Sequence, residues 1–263
     1  MPDGMLGGQS IYQFVSLPVI GAVGGIIAGM VGSGGGVLVV PLLVYLSGVG
    51  WESATGISAA QYFFGAISGV VPHWRRRNVH LRVGTAMMVA GVVSAQLGAL
   101  LSAAMPEWTL SLLYLLLAVV AATSLLFPTR EERAGAVAVE MPDANWLFVG
   151  SMGTLVGLVD GILGVGGGFM LVPLMVYVLQ MATRQAIGTS LFVIAGTMAS
   201  AVTGKLMQGQ VPLLSSALVT LGAVAGAQLG ARLSGRLRPS VLRRMLSVMI
   251  YMVCLRILLD VLT

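Results

Sequence analysis

The sequence contains one eleven-residue stretch in two versions, GSGGGVLVVPL at residues 32–42 and GVGGGFMLVPL at residues 164–174. Both versions lie inside apolar sequence. A glycine inside a helix costs about 1 kcal/mol relative to alanine, so three in a row predict an interruption of a helix. Irregular backbone at membrane depth is tolerated only where it is buried in protein or lines an aqueous cavity. The two stretches therefore predict two helix breaks that serve a site.

The composition identifies the environment of these breaks. Of the 263 residues, 57% are hydrophobic and only 9% are charged, and the mean hydropathy is +0.96, whereas soluble domains carry roughly 25% charged residues. The chain is therefore a polytopic membrane protein with the lipid bilayer as its surroundings. The net charge of +5 comes largely from arginines in short runs between apolar segments, where charge sets membrane orientation, so no nucleic-acid partner is expected. The N-terminus lacks the basic region of a cleaved signal peptide, so the first apolar segment is expected to remain.

The apolar segments fall into two groups of five. A helix needs roughly 20 residues to cross about 30 Å of hydrocarbon, and most segments approach this length. The second segment of each group is shorter, because the stretch from Gly36 to Gly50 spans only about 21 Å as a helix. Whether the first two segments of each group are re-entrant or fully spanning stays open. The segments are 11–31, 37–50, 53–72, 83–104 and 108–127, followed by 145–163, 169–181, 185–204, 211–231 and 240–262.

The two groups are copies of one repeat. Residues 21–101 align without a gap on residues 153–233, and roughly a third of the pairs are identical, as expected of an internal duplication. Tyr45 and Pro41 match Tyr177 and Pro173. Small-residue membrane helices resemble one another by composition alone, but the matched proline and tyrosine favour duplication.

The arginines indicate that the two repeats are inverted. They cluster after the third segment of the first repeat, in 73–82, and after the fourth segment of the second, in 232–244. The positive-inside rule makes these loops cytoplasmic, while 101–107 and 205–210 face outward. Equivalent loops thus lie on opposite sides of the membrane, which is the arrangement of many secondary transporters.

The predicted fold is therefore an all-α polytopic membrane protein built from two inverted-topology repeats of about five segments. Its parts are a first transmembrane repeat at 1–127, a polar cytoplasmic connector at 128–144 and a second repeat at 145–263. Both termini are expected outside the cytoplasm. Glycines at helical spacing within the first segment of each repeat are expected to allow close helix packing. They are Gly21, Gly25, Gly29, Gly157 and Gly161.

The broken helices predict an anion site. If each glycine run joins one segment to a short returning helix, two helix N-termini meet near the midplane, and each carries about half a positive charge. Hydroxyl and amide groups on the first turns of the third segments either line the same cavity or bond back to their own helix. The predicted substrate-binding residues are Ser33, Gly34, Gly35, Gly36, Val37, Ser58, Gln61, Gly166, Gly167, Gly168, Phe169, Thr189 and Ser190.

Asp160 is a carboxylate inside an apolar segment, and its repeat equivalent is Ala28. Ionisable residues at membrane depth are functional candidates by default. An ionised Asp160 repels an anionic substrate, so two readings stay open: the side chain carries a proton with the anion, or it makes a structural hydrogen bond. Asp160 is the candidate coupling residue.

The duplicated G-x-G-G-G followed by an apolar run and Pro-Leu resembles the sulfite exporter TauE/SafE family of membrane transporters. The resemblance extends from about Gly21 to Ser234 and includes both copies of the motif. It implies export of sulfite or related sulfur oxyanions and organosulfonates across the bacterial inner membrane.

The sequence thus predicts a secondary transporter that exports small sulfur-containing anions by alternating access. The alternatives are an anion channel, a carrier of another small anion, or a membrane scaffold. No enzyme, cofactor or metal is expected, because the apolar segments lack a nucleophile with a base, a nucleotide loop or a ligand cluster. The substrate, the coupling ion and the association of copies into a homo-oligomer stay open.

Overall fold

The computed structural model describes residues 11–31, 36–126, 146–234 and 239–262, and these form ten helices. Each helix corresponds to one apolar segment of the sequence, with ends that differ by no more than four residues. The first repeat contains α1 (Ile11–Val31), α2 (Gly36–Ser47), α3 (Trp51–Arg75), α4 (Leu81–Ala104) and α5 (Glu107–Leu126). The second contains α6 (Trp146–Leu163), α7 (Gly168–Tyr177), α8 (Thr183–Met207), α9 (Leu213–Ser234) and α10 (Pro239–Leu262).

Helix lengths separate spanning helices from half-helices. Among the described residues, α3, α4, α6 and α8 are long and apolar enough to cross a membrane. In contrast, α2 has 12 residues and α7 has 10, which correspond to about 18 and 15 Å of helix. Neither reaches across about 30 Å of hydrocarbon. The prediction of an all-α polytopic membrane protein is confirmed.

The central pair of helices shows the inversion directly. A Cβ placed on Gly56, near the start of α3, would lie 2.3 Å from the Gln210 carbonyl oxygen just after α8. A Cβ on Gly188, near the start of α8, would lie 2.3 Å from the Asn78 carbonyl oxygen just after α3. The start of each helix therefore contacts the end of the other. The repeat-equivalent helices α3 and α8 run antiparallel, as inverted repeats require.

The first helix of each repeat packs on the fourth helix of the other repeat. A Cβ on Gly25 of α1 would lie 2.1 Å from the Ala223 carbonyl oxygen of α9, and one on Gly161 of α6 would lie 2.1 Å from the Ala95 carbonyl oxygen of α4. Backbones this close leave room for glycine only, as in small-residue membrane interfaces. The packing role is confirmed at Gly21, Gly25, Gly157 and Gly161.

These contacts make the repeats interdependent. The closest helix pairs, α1 with α9 and α4 with α6, each join opposite repeats, so the boundary in the sequence is not a boundary between separately packed bodies. The connector at 128–144 and residues 1–10 lie outside the described residues. The sidedness of the termini stays a prediction.

Candidate anion site at the second helix break

The chain reverses direction between α6 and α7. The left-handed backbone of Gly164 and Gly166, with φ of +61° and +69°, turns it, and such a conformation favours glycine. A Cβ on Gly167 would lie 2.6 Å from Cγ1 of Val156, eleven residues earlier in the chain. The chain has therefore turned back beside α6 before α7 begins, so α7 is a re-entrant half-helix. We call residues 164–167 the second break.

The second break is pressed against α3. A Cβ on Gly164 would lie 2.1 Å from the carbonyl oxygen of Thr55, and a Cβ on Gly166 would lie 2.5 Å from the Tyr62 ring. Both glycines therefore have two reasons for lacking a side chain, their backbone angles and the contact with α3. Residues 164–168 are buried. This is irregular backbone enclosed by protein, the condition under which it survives at membrane depth.

The contacts at the end of the break, where α7 begins, lie halfway along the two central helices, whereas Gly164 contacts Thr55 near the start of α3. Tyr62, which touches Gly166, is one residue from the midpoint of α3. Thr197, which binds Asp160, is two residues from the midpoint of α8. Because α3 and α8 are both long enough to cross the membrane, the start of α7 lies near the middle of the bundle rather than at either end.

Asp160 occupies the N-terminus of α7. Its side chain is fully buried; Oδ1 accepts a hydrogen bond from the Gly167 N–H, and Oδ2 accepts one from the Thr197 hydroxyl at 2.8 Å. A carboxylate at a helix N-terminus is stabilised by the unpaired N–H groups and the helix dipole. The sequence predicts Gly167 as a backbone donor to a substrate anion. In the structure its N–H is bound to a carboxylate of the protein itself.

Thr197 suits either protonation state of Asp160. Its hydroxyl lies 2.8 Å from Asp160 Oδ2 and 3.3 Å from the carbonyl oxygen of Ile194. When it donates to the carboxylate, Asp160 is satisfied as an anion. When it donates to Ile194, its own oxygen is free to accept a hydrogen bond from the O–H of a neutral Asp160 carboxyl.

The Thr197 hydrogen bond gives a first testable prediction. Thr197→Val keeps the side-chain shape but removes a donor to a buried carboxylate, which costs about 1–3 kcal/mol. We expect a lower apparent unfolding temperature in detergent at neutral pH. Thr203→Val is the matched control on the same helix, because that hydroxyl is exposed and bonds only to Ala199 of its own helix. Equal unfolding temperatures for the two variants would contradict the assignment.

The N-terminal half of α3, which contacts the break at Thr55 and Tyr62, carries three buried polar atoms that have no partner among the described residues. They are Ser58 Oγ, Gln61 Oε1 and the Tyr62 hydroxyl, and the exposed fractions of these side chains are 0%, 5% and 8%. Buried polar groups without hydrogen bonds cost about 1–3 kcal/mol each, so they point to a missing partner. Ser58 and Gln61 were predicted from the sequence. Tyr62 was missed because a tyrosine in an apolar segment is read as core, although it follows Thr55 and Ser58 at helical spacing.

Lys205 is a second buried ionisable group that the sequence reading missed. It was assigned to an outward loop at 205–210, but it lies within α8 and is fully buried. Its Nζ donates to four neutral oxygens: Thr55 Oγ1 and Ser102 Oγ at 3.0 Å, and the Ile162 carbonyl and Gln210 Oε1 at 3.2 Å. The signal that could have found it is a lone cation in a loop where the positive-inside rule disfavours one.

The predicted residues at the start of α8 have hydrogen-bond partners outside the break. Thr189 Oγ1 accepts a hydrogen bond from the His80 backbone N–H at 2.9 Å, which ties α8 to the start of α4. Ser190 donates to the carbonyl oxygen of Ile187 in its own helix at 2.9 Å. Both hydroxyls therefore have structural partners. Ser190 thus bonds back to its own helix, whereas Thr189 bonds across to the start of α4, and a role of either in substrate binding stays a prediction.

The first break is described only in part. Ser33, Gly34 and Gly35 lie outside the described residues. Helix α2 begins at Gly36, and Val37 is buried with its carbonyl oxygen accepting a hydrogen bond from the Tyr114 hydroxyl. Val37 belongs to the same hydrophobic cluster as Leu163 and Val165 of the second repeat. In the second repeat, Gly168 begins α7 and Phe169 lies in its first turn.

Metal ligands do not gather in the part of the chain that the structure describes: it holds no group of three or more His, Cys, Asp or Glu side chains. The site consists instead of backbone amides, hydroxyls, one amide side chain, one carboxylate and one ammonium. Such groups bind small polar ions without covalent chemistry.

Inverted repeats around a buried helix break are the architecture of membrane transporters. Comparison with known families gives the same class, since the model of the sulfite exporter TauE/SafE family matches residues 17–257. The chain belongs to this family. It is a multi-pass membrane transporter.

Several curated bacterial proteins are similar over most of the chain. "Probable membrane transporter protein YunE" of Bacillus subtilis is 24% identical over 236 residues, which cover 82% of this chain and 86% of that protein. A "Probable membrane transporter protein" of Xylella fastidiosa (strain Temecula1) is 30% identical over 180 residues, 66% of this chain and 67% of that protein. "Probable membrane transporter protein YdhB" of Bacillus subtilis is 27% identical, covering 77% and 83%. No solved structure matches the chain.

Proposed function

We propose that this protein is a secondary transporter that exports small sulfur-containing anions, sulfite or an organosulfonate, across the bacterial inner membrane by alternating access. The substrate class is taken from the family description, which names sulfite export. The proposed binding region is the surface where the second break meets α3, together with the first break. Both termini are proposed to lie outside the cytoplasm.

One observation carries the proposal: the buried start of α7 lies against a helix whose buried polar atoms lack partners among the described residues. The N-terminus of α7 supplies partial positive charge. Tyr62 contacts the second break at Gly166, and Ser58 and Gln61 lie within one turn of Tyr62 on α3, with the Gln61 amide nitrogen on the side of α1, 3.6 Å from a Cβ placed on Gly24. A sulfur oxyanion has several strong acceptor oxygens, and these can accept hydrogen bonds from the Ser58 and Tyr62 hydroxyls. The unpartnered atom of Gln61 is its Oε1, an acceptor, so Gln61 can bind an anion only through its Nε2. The two hydroxyls thus lack the kind of partner that a sulfite or sulfonate supplies.

Alternating access fits the way in which α3 and α8 meet. The two helices contact each other near both ends, at Gly56 with Gln210 and at Gly188 with Asn78. The proposed site lies between these contacts, halfway along both helices. Opening one contact while the other stays closed would admit an anion from one side at a time, as in other inverted-repeat transporters.

A binding screen tests the substrate class. Purified protein in detergent is heated with sulfite, sulfate, thiosulfate, short organosulfonates or chloride at equal ionic strength. A ligand that binds the folded state raises apparent stability by RT ln(1 + [L]/Kd), so a ligand at a hundred times its Kd adds about 2.7 kcal/mol. We expect stabilisation by sulfite or a sulfonate but not by chloride. Stabilisation by none of these anions contradicts the proposal.

Flux measurements separate a carrier from a channel. Protein reconstituted into liposomes is given an anion at equal concentrations on both sides and a pH gradient. A carrier coupled to protons accumulates the anion, with Asp160 as the proposed coupling residue, whereas a channel conducts it only until the electrochemical gradient of the anion is dissipated.

A further inference from the structure

The second break lies between two buried side chains of opposite charge. On one side Asp160 accepts a hydrogen bond from the Gly167 N–H, next to the start of α7. On the other side Lys205 donates to the carbonyl oxygen of Ile162, in the last turn of α6. Each charge suits the helix end that it contacts, because an anion is stabilised at a helix N-terminus and a cation at a C-terminus. Among the described residues, no ion pair joins Asp160 to Lys205.

The surroundings of Lys205 favour its charged form. The Thr55 hydroxyl donates to the Glu52 carbonyl at 2.7 Å and the Ser102 hydroxyl to the Ala99 carbonyl at 2.8 Å. Both hydroxyls therefore present lone pairs to Nζ, and its other two partners are also acceptors. With the two hydroxyl protons directed at Glu52 and Ala99, all four partners act as acceptors, as an ammonium ion requires, whereas a neutral amine would need a donor for its lone pair. The site is built for an ammonium ion.

A buried ammonium ion with neutral partners requires charge compensation from farther away. Asp160 binds Thr197 on α8, and Thr197 and Lys205 lie eight residues apart on that helix, which is about 12 Å. In the absence of substrate, the buried charges of the break sum to zero. Protonation of Asp160 would leave these two side chains with a net charge of +1, beside the buried hydroxyls of α3 that have no partner among the described residues.

We propose that Lys205 supplies the fixed positive charge that the transported anion neutralises, and that the anion takes over this role from Asp160 when the Asp160 carboxylate accepts a proton. This second proposal rests on the proposed anion transport, and it states how the charges at the break are balanced when the anion binds. The proton comes from the water on the side from which the anion enters, and it leaves with the anion. One proton then accompanies each monovalent anion, and the loaded and empty sites carry the same net charge.

Two further ionisable groups lie near these charges. Tyr62 of α3 lies against Gly166, beside the Gly167 N–H that donates to Asp160, and a phenol, whose ordinary pKa is about 10, is neutral at physiological pH. Glu52, partly buried in the first turn of α3, is a further negative charge that acts on Lys205 from outside the break and compensates it in part. The repeat-equivalent positions of Asp160 and Lys205 are Ala28 and His73, so the first repeat has no matching carboxylate. The charge balance belongs to the second repeat.

The test measures methanesulfonate binding to the purified full-length protein, since this monoanion keeps its charge between about pH 5 and pH 8. Proton uptake on binding is measured by calorimetry in buffers of different ionisation enthalpy. Because the bound state holds one more proton, affinity in the unaltered protein should rise as pH falls, with uptake approaching one proton per anion. If methanesulfonate binds without proton uptake and with an affinity that does not change with pH, the proposal is wrong. This test uses the unaltered protein alone.

Two variants separate the roles of the charges. Asp160→Asn mimics the protonated side chain, so we expect binding that is independent of pH and as tight as that of the unaltered protein at low pH. For an anion bound beside Asp160 and Thr197, Lys205→Met removes a unit charge about 12 Å away along α8. At an effective dielectric constant near 20 this should weaken binding about tenfold at low pH. If Lys205→Met does not fold, Lys205→Gln retains a donor for the four oxygens without the charge.

A matched control removes an exposed cation. Arg75→Gln at the end of α3 lowers the net charge equally but at the surface, where salt screens it, so affinity should stay within twofold. A folded Lys205 variant that binds as tightly as Arg75→Gln overturns the role of Lys205. If the affinity of Asp160→Asn still depends on pH, the proposed role of Asp160 is wrong. If the unaltered protein binds sulfite and sulfonates at no pH, the proposed function fails as well.

Discussion

Gly167→Val is expected to abolish anion transport while the protein still inserts into the membrane. Gly167 has φ of −30°, so its backbone does not require glycine. The space does: a Cβ there would lie 2.6 Å from Cγ1 of Val156 and 3.0 Å from Oδ1 of Asp160. Valine must push α7 away from α6 and break the hydrogen bond from Gly167 to Asp160. The start of α7 would then no longer face α3.

The measurement is sulfite or sulfonate flux in proteoliposomes, normalised to the amount of inserted protein. Gly150→Val is the matched control, because it places the same side chain on α6 at a position where a Cβ meets nothing within 4 Å. We expect flux at background for Gly167→Val and within twofold of the unaltered protein for Gly150→Val. Normal flux in Gly167→Val would exclude the second break from the transport site.

The sequence predicted the helices well because membrane burial requires continuous apolar segments. Even α7, with 10 residues, was expected as a half-helix from the glycine run and the short apolar stretch that follows it. The inversion of the repeats could also be predicted from the sequence, because arginines accumulate on the cytoplasmic side of the membrane whichever way a repeat is inserted. The antiparallel contact of α3 with α8 agrees with that reading.

The partners of the buried charges were not predictable in the same way. Asp160 was recognised, but its contact with Gly167 depends on the reversal at Gly164 and Gly166, which no helical spacing describes. Lys205 was placed in a loop because charge was counted at the end of an apolar segment, whereas α8 continues to Met207. Four oxygens from separate elements stabilise its ammonium group, and tertiary contacts of this kind leave no local pattern in a sequence.

The difference between the repeats matters for function as much as their likeness. Both supply a glycine run before a short helix, but only the second places a carboxylate before it. Asp160 occupies the start of α7, whereas Ala28 has no group that can do the same for α2. If both helix starts bind one anion, the first is the permanent half of the site and the second becomes available only when Asp160 releases Gly167.

Gly161→Val is expected to prevent stable folding rather than transport alone. A Cβ at Gly161 would lie 2.1 Å from the Ala95 carbonyl oxygen and 2.8 Å from the Ala99 backbone nitrogen. Overpacking against movable side chains costs about 1–3 kcal/mol, and backbone atoms cannot rotate away, so we expect a loss of at least about 3 kcal/mol. Because α6 and α4 come from opposite repeats, their separation loosens the contact between repeats.

Inversion predicts an equal effect at the repeat-related contact. Gly25→Val on α1 would place its Cβ 2.1 Å from the Ala223 carbonyl oxygen of α9, so both variants should lose most folded protein on size-exclusion chromatography in detergent. Gly65→Val on α3, where a Cβ meets nothing within 4 Å, should elute as the unaltered protein does. A folded Gly161→Val beside an unfolded Gly25→Val would mean that only the α1–α9 contact is essential to assembly. Such a result would contradict equal dependence on the two contacts between repeats.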